Sequence, residues 1–161
     1  MVAFRHGITF EMSCFLNGLI RPIYDQVTCS QTFIRGADAI NMMEDYTKQG
    51  LLQANTLFAT IHIHDLCTIF PHKQTIEALQ RFLHTYASGG QIQGVSIQTI
   101  ITLVRVFLDN QYFLYDNTLY QQIRGGGSNS SMTTLLANIY MYEWQQKLVD
   151  ILNAKNELFG R

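Results

Sequence analysis

The sequence predicts an α+β fold, in which helices pack on a small antiparallel sheet with a β-hairpin, and three observations predict it. Long stretches early and late carry apolar residues at helical spacing. One run, TLFATIHI, is β-branched and almost uncharged. Two aromatic-rich runs flank the pair Asp116-Asn117, a dipeptide suited to a tight turn.

Taken in order, Met12, Phe15, Leu16, Leu19, Ile20 and Ile23 give Glu11 to Val27 one buried helical face, which Pro22 should kink or end. Gly36 to Gly50, with Ala37, Ile40, Met43 and Tyr46, predicts a helix whose last glycine is placed to cap it. TLFATIHI then reads as a buried strand stopped by Pro71. From Lys73 to Ala87 the positions Ile76, Leu79, Phe82, Leu83 and Tyr86 make an amphipathic helix ended by Gly89-Gly90. Ser96 is set to cap the next helix, where Ile100, Leu103, Val104 and Phe107 share a face. QYFLYDNTLYQQI is the hairpin. The polar loop GGGSNSS, Gly125 to Ser131, opens onto a helix from about Met132 to about Asn153 that contains Leu135, Leu136, Ile139, Trp144, Leu148 and Ile151. Trp144 and the Met and Tyr residues of that helix are expected in the core. NELFGR carries no domain-closing signature, so the sequence is expected to stop within a fold.

Composition narrows the function. The chain has 161 residues, 47% of them hydrophobic and 12% aromatic, enough to bury one core and too much for a disordered segment. Lys and Arg total 11 against 12 Asp and Glu, a formal net charge of −1, so no global positive field holds a polyanion. Cys14, Cys29 and Cys67 are odd in number and lack CxxC spacing, which argues against a disulfide framework and a thiolate zinc site. No run reaches the roughly 18 to 20 apolar residues of a membrane span, and MVAFRHGITFEM is not a signal peptide. The expected setting is intracellular, nucleus or cytoplasm, with no membrane partner.

Three segments in one order resemble the reverse transcriptases of Penelope-like retroelements. They are LFATIHIHDLCTIFPHKQTIEALQRFL, FLYDNTLYQQIRGGGSNSSMTTLLANIYMYEW and NELFGR. In the first, Leu66, Thr68, Pro71 and the helix IEALQRFL match a strand-to-helix motif. In the second, the hairpin, RGG, Ser130 and LANIYM match in spacing. The third resembles the lead-in to a YxDD turn that the sequence does not reach. The resemblance runs from about Leu16 to the C-terminus. It implies a partial polymerase fingers and palm, with residues 1–54 the fingers-like helical part and 55–161 an incomplete palm-like part. An intact relative acts as an RNA-directed DNA polymerase on an RNA or DNA template-primer with Mg²⁺.

Such polymerases hold two metals on carboxylates during in-line phosphoryl transfer, and Mg²⁺ favours oxygen ligands. The resemblance puts His62 where the first metal-binding aspartate belongs, and Asp65 near the incoming triphosphate. On a continuing strand Asp65 would point away from His62. Cys67 stands where an aromatic residue excludes the 2′-hydroxyl. Gly126 keeps the place of a residue that lets backbone approach template and nucleotide, flanked by Gly125 and Arg124, while Asn129 and Ser131 replace glycine and proline. The expectation is a catalytically inactive fragment, with no cofactor as it stands and weak or lost template-primer contact.

Other readings of the same residues stay open. His62 and His64 share a strand face and could begin a zinc site, but no third ligand is near. GGGSNSS is either an amide cradle for phosphate or a flexible linker, and it lacks the GK[ST] of nucleotide hydrolases. Tyr112, Phe113, Tyr115 and Tyr120 either stack on bases or pack half their rings into the core, the commoner case. Arg124 either contacts phosphate or is solvated. A different function class is an interaction protein that associates with itself or with a complementary chain through uncovered apolar surface.

Overall fold

The structure, a computed structural model, describes residues 8–127 and 130–161. It is α+β, with helices and two small antiparallel two-stranded sheets. In chain order the helices are α1 (Ile8–Thr28), α2 (Gly36–Lys48), α3 (Leu66–Ile69), α4 (His72–Tyr86), α5 (Ile97–Asp109) and α6 (Ser131–Ala154). Strands β1 (Gln91–Ile92) and β2 (Val95–Ser96) form one ribbon, and β3 (Tyr112–Tyr115) and β4 (Thr118–Gln121) the other.

The core lies among α1, α4, α5 and α6. Leu16, Leu19, Ile20 and Tyr24 of α1 meet Leu79, Phe82 and Leu83 of α4, Ile100, Val104, Phe107 and Leu108 of α5, and Met132, Leu135, Leu136 and Ile139 of α6 in one buried cluster. Pro22 does not end α1. Its missing N–H and its ring remove one turn's bond, yet Leu19, Ile20 and Tyr24 keep one buried face on both sides of it. The Arg21–Asp25 ion pair, 2.8 Å, also spans it. Burial of that face decides the outcome over local propensity.

Local signals place the later helices. Ser96 caps α5 by accepting from the Thr99 amide at 3.1 Å, and Gly89 and Gly90 both take positive φ after α4. Gly50, at φ 74, follows the end of α2, whose start is held by the Asp38 carboxylate. That group accepts the Arg35 amide at 2.8 Å and the Ile34 amide at 3.0 Å, and these bonds hold it below the usual carboxylate range. In the β3–β4 ribbon Asp116 (φ 47) and Asn117 (φ 56) form the tight turn.

Three expectations fail. TLFATIHI is not a buried strand: Leu57 is 92% exposed and Ile61 71%, and residues 55–63 pair with no strand among the described residues. β-branched composition favours a pleated surface only when a neighbouring strand and a covering layer exist. The rings of the β3–β4 ribbon are not core either, since Tyr112, Tyr115 and Tyr120 are exposed and Phe113 half-buried, stacked on Tyr120 at 5.5 Å. Trp144 stands 63% exposed on α6. The neighbouring buried positions Tyr142, Gln145 and Val149 define the face α6 turns inward, and Trp144 lies off it.

Where α1, α4 and α6 meet, Tyr24, Phe82, Tyr86 and Tyr142 cluster, and the Tyr86 and Tyr142 hydroxyls share a hydrogen bond of 2.9 Å. Arg161 donates to the Tyr24 hydroxyl at 2.6 Å, with its guanidinium over the Tyr24 and Tyr142 rings. Residues 157–161 are tied down further by Tyr46 Oη donating to Glu157 at 2.9 Å and by backbone bonds between Arg161 and residues Gln31 and Phe33. Burial raises the Tyr142 hydroxyl far above its ordinary range, with the Tyr86 hydroxyl adding to the shift. Burial also raises Tyr24, against the opposing pull of Arg161.

A raised folded-state pKa means the neutral ring is favoured in the fold. The stability this contributes is fully present below the unfolded tyrosine value of about 10 and is lost as pH rises beyond it. Urea titrations between neutral pH and pH 11 should therefore show stability falling from about pH 10 upward. The fall should be shallower in Tyr142→Phe, and equal slopes in the two proteins would refute this origin.

Candidate functional site

The site is a junction between two segments distant in sequence. Asp65, at φ 51, turns the chain into α3, its carbonyl accepting the Thr68 amide at 2.8 Å. Phe70 is buried and Pro71 precedes α4. Against this segment lies the start of the glycine loop. Arg124 and Pro71 form an isolated antiparallel bridge. The Gly125 amide donates to the Phe70 carbonyl at 2.7 Å and the Gly126 amide to the Cys67 carbonyl at 2.9 Å. His72 Nε2 donates to the Gly125 carbonyl at 2.7 Å.

This approach needs glycine at two positions. At Gly125, φ is 60 and a Cβ would lie 2.4 Å from the Cys67 carbonyl oxygen and from Thr68 backbone atoms. At Gly126 a Cβ would lie 2.5 Å from Thr133 Oγ1, a buried atom of the first turn of α6 with no hydrogen-bond partner among the described residues. Both glycines are buried. Packing inside the fold thus accounts for them without an approaching ligand.

Beyond the glycines, Gln111 receives the Gly127 amide at 3.3 Å through its side chain and the Gln122 amide at 2.8 Å through its carbonyl. Ser130 caps α6, accepting the Thr133 amide at 3.4 Å. Its hydroxyl also shares a bond of 2.9 Å with Ser13 of α1, and Ser13 accepts the Met132 amide at 3.4 Å. First helix and last helix are therefore joined by hydrogen bonds at the mouth of the loop.

The backbone bonds bring Cys67, Arg124, Gly125 and Gly126 together, while Asp65 turns the chain into the same segment through its bond from Thr68, and Ser130 opens α6 with bonds to Thr133 and Ser13. Cys67 takes part by its backbone, its side chain half-buried, and Arg124 is exposed. His62 stays outside the junction, in the exposed stretch before Asp65, where its ring meets His64 edge-on at 4.4 Å. The expectation of opposite strand faces for His62 and Asp65 lapses, because there is no strand there and Asp65 sits in a left-handed turn. Asn129 lies outside the described residues.

A magnesium pair does not fit these residues. Asp65 is the sole carboxylate in the segment from Leu51 to Pro71, and among the described residues no three His, Cys, Asp or Glu side chains are grouped to hold a metal. Two hard cations need several oxygen donors. The same finding leaves His62 and His64 without a third zinc ligand among the described residues. No helix among the described residues is long and apolar enough to cross a membrane.

Sequence reasoning missed Ser13, His72 and Gln111. No local pattern marks them, because each acts on a residue far along the chain or across a turn. The chain matches no protein-family model, no curated protein and no solved structure.

Proposed function

We propose that this chain is of Penelope-like reverse-transcriptase ancestry and is catalytically silent as it stands. The observation that carries the reading is the junction. Two of the three segments that resemble that family, far apart in sequence, meet through Gly125–Phe70 and Gly126–Cys67 backbone bonds, as motifs of one site would. In this reading silence follows from the donors, since the resemblance puts His62 at the metal-binding aspartate's position and Asp65 is the one carboxylate between Leu51 and Pro71. The setting is intracellular, nucleus or cytoplasm.

What survives in this reading is weak template contact. Arg124 offers a cation beside the loop, and the exposed rings of Tyr112, Tyr115 and Tyr120 offer stacking faces on the adjoining ribbon. Without a positive field the contact is weak and falls with salt.

Mobility-shift titration of single-stranded RNA and DNA at low salt should give binding in the high micromolar range. Arg124→Ala should lower the slope of log affinity against log salt by about 1. Absence of any shift at low salt removes the template contact. Primer extension with magnesium should stay absent in the chain and in His62→Asp, because one restored carboxylate cannot complete the set. Extension by either protein overturns the silence.

A second reading, an interaction protein, is favoured by the bare apolar stretch around Leu57, Phe58 and Ile61.

A further inference from the structure

We propose that Thr56–His64 is a self-complementary β-strand through which two copies of this chain pair antiparallel about Thr60. The inference stands apart from the proposed ancestry. It begins with an unmet requirement of the backbone. No amide or carbonyl of residues 57–62 hydrogen bonds to protein backbone among the described residues, so this stretch presents a free row of donors and acceptors to any strand that can lie beside it.

Its side chains suit that use. In an extended strand Leu57, Ala59, Ile61 and Ile63 project to one face, and Phe58, Thr60, His62 and His64 to the other. The pattern reads alike from both ends about Thr60. A two-fold antiparallel pairing sets Leu57 opposite Ile63, Ala59 opposite Ile61, Phe58 opposite His62, and Thr60 opposite its own copy. These are apolar, aromatic and threonine pairs, the combinations that stabilise cross-strand contacts.

Charge points to the same partner. From Leu51 to His64 there is no Asp, Glu, Lys or Arg, so self-pairing opposes no like charges of these types. Nor does the stretch carry the lysine or proline with which natural edge strands discourage pairing. A second copy meets itself by an isologous contact that closes at two, and the apolar residues 57, 59, 61 and 63 of both copies then form one continuous face.

The central register gives the test. Thr60 is exposed, so its substitution is expected to leave the fold intact, which far-ultraviolet circular dichroism and thermal melting verify. Sedimentation of the full chain at high micromolar concentration should show a dimer. Thr60→Lys and Thr60→Glu should each sediment as monomers, since the two-fold sets like charge against like charge. An equimolar mixture of the two should restore the dimer, with affinity at least about tenfold above either variant alone.

A monomeric parent chain overturns the proposal. So does association that ignores the charge at Thr60, the mark of non-specific clustering or a different surface. Loss of dimer in both variants without recovery in the mixture overturns the two-fold register.

Discussion

Gly125→Ala is expected to lose about 2 to 5 kcal/mol of stability, the sum of a left-handed backbone for a residue with Cβ and of overpacking against main chain. The Cβ would sit 2.4 Å from the Cys67 oxygen and Thr68 backbone, and backbone cannot swing aside as a flexible side chain can. The relief available is to part the loop from the Leu66–Pro71 segment, breaking the Gly125–Phe70 and Gly126–Cys67 bonds together. Urea unfolding should show the loss. Hydrogen exchange should show the Gly125 and Gly126 amides losing protection before those of α5. An alanine protein as stable as the parent would mean the loop does not dock as described.

Phe70→Ala is expected to cost about 3 to 5 kcal/mol, the usual range for emptying a fully buried aromatic position. Phe70 is 1% exposed, and its carbonyl is the acceptor for Gly125. The cavity therefore opens directly beneath the junction. Phe58→Ala is the control, because Phe58 is 65% exposed in the single chain and, in melts on dilute protein where strand pairing between copies does not contribute, a surface change of this kind stays within about 0.5 kcal/mol. From sequence both phenylalanines sit in apolar stretches before α4, and only the fold separates them. Equal losses in the two variants, by thermal or urea melts, would contradict this assignment of inside and outside.

That pair illustrates what sequence could tell. α4, α5 and α6 were legible because helical periodicity and caps such as Ser96 act within a few residues. The ribbon at Asp116-Asn117 was legible for the same reason, since its turn carries its own backbone preference. TLFATIHI was not, because a strand is completed by a partner and a covering layer that its own residues do not specify. Pro22, expected to kink or end the stretch, does not end it: its local penalty is real, and the buried face through Leu19, Ile20 and Tyr24 carries the helix past it.

The site divides similarly. Arg124, Gly125 and Gly126 could be singled out by resemblance, yet nothing in their neighbourhood names Phe70, His72 or Ser13 as partners. The ribbon's rings were expected to divide between core and solvent, and three of them stand exposed, because helix packing completes the core without them.

The Ser13–Ser130 bond spans 117 positions of chain. Bringing such distant residues together carries a conformational-entropy penalty that the packing of α1 on α4 and α5 offsets only in part, so this closure belongs to the later part of folding. During synthesis, the part of the apolar side of α1 that packs on α6 must wait for α6 to emerge, even after α4 and α5 have formed. Mutations that weaken the Ser13 contact should therefore lengthen the period in which a nascent polypeptide is open to chaperones and proteases.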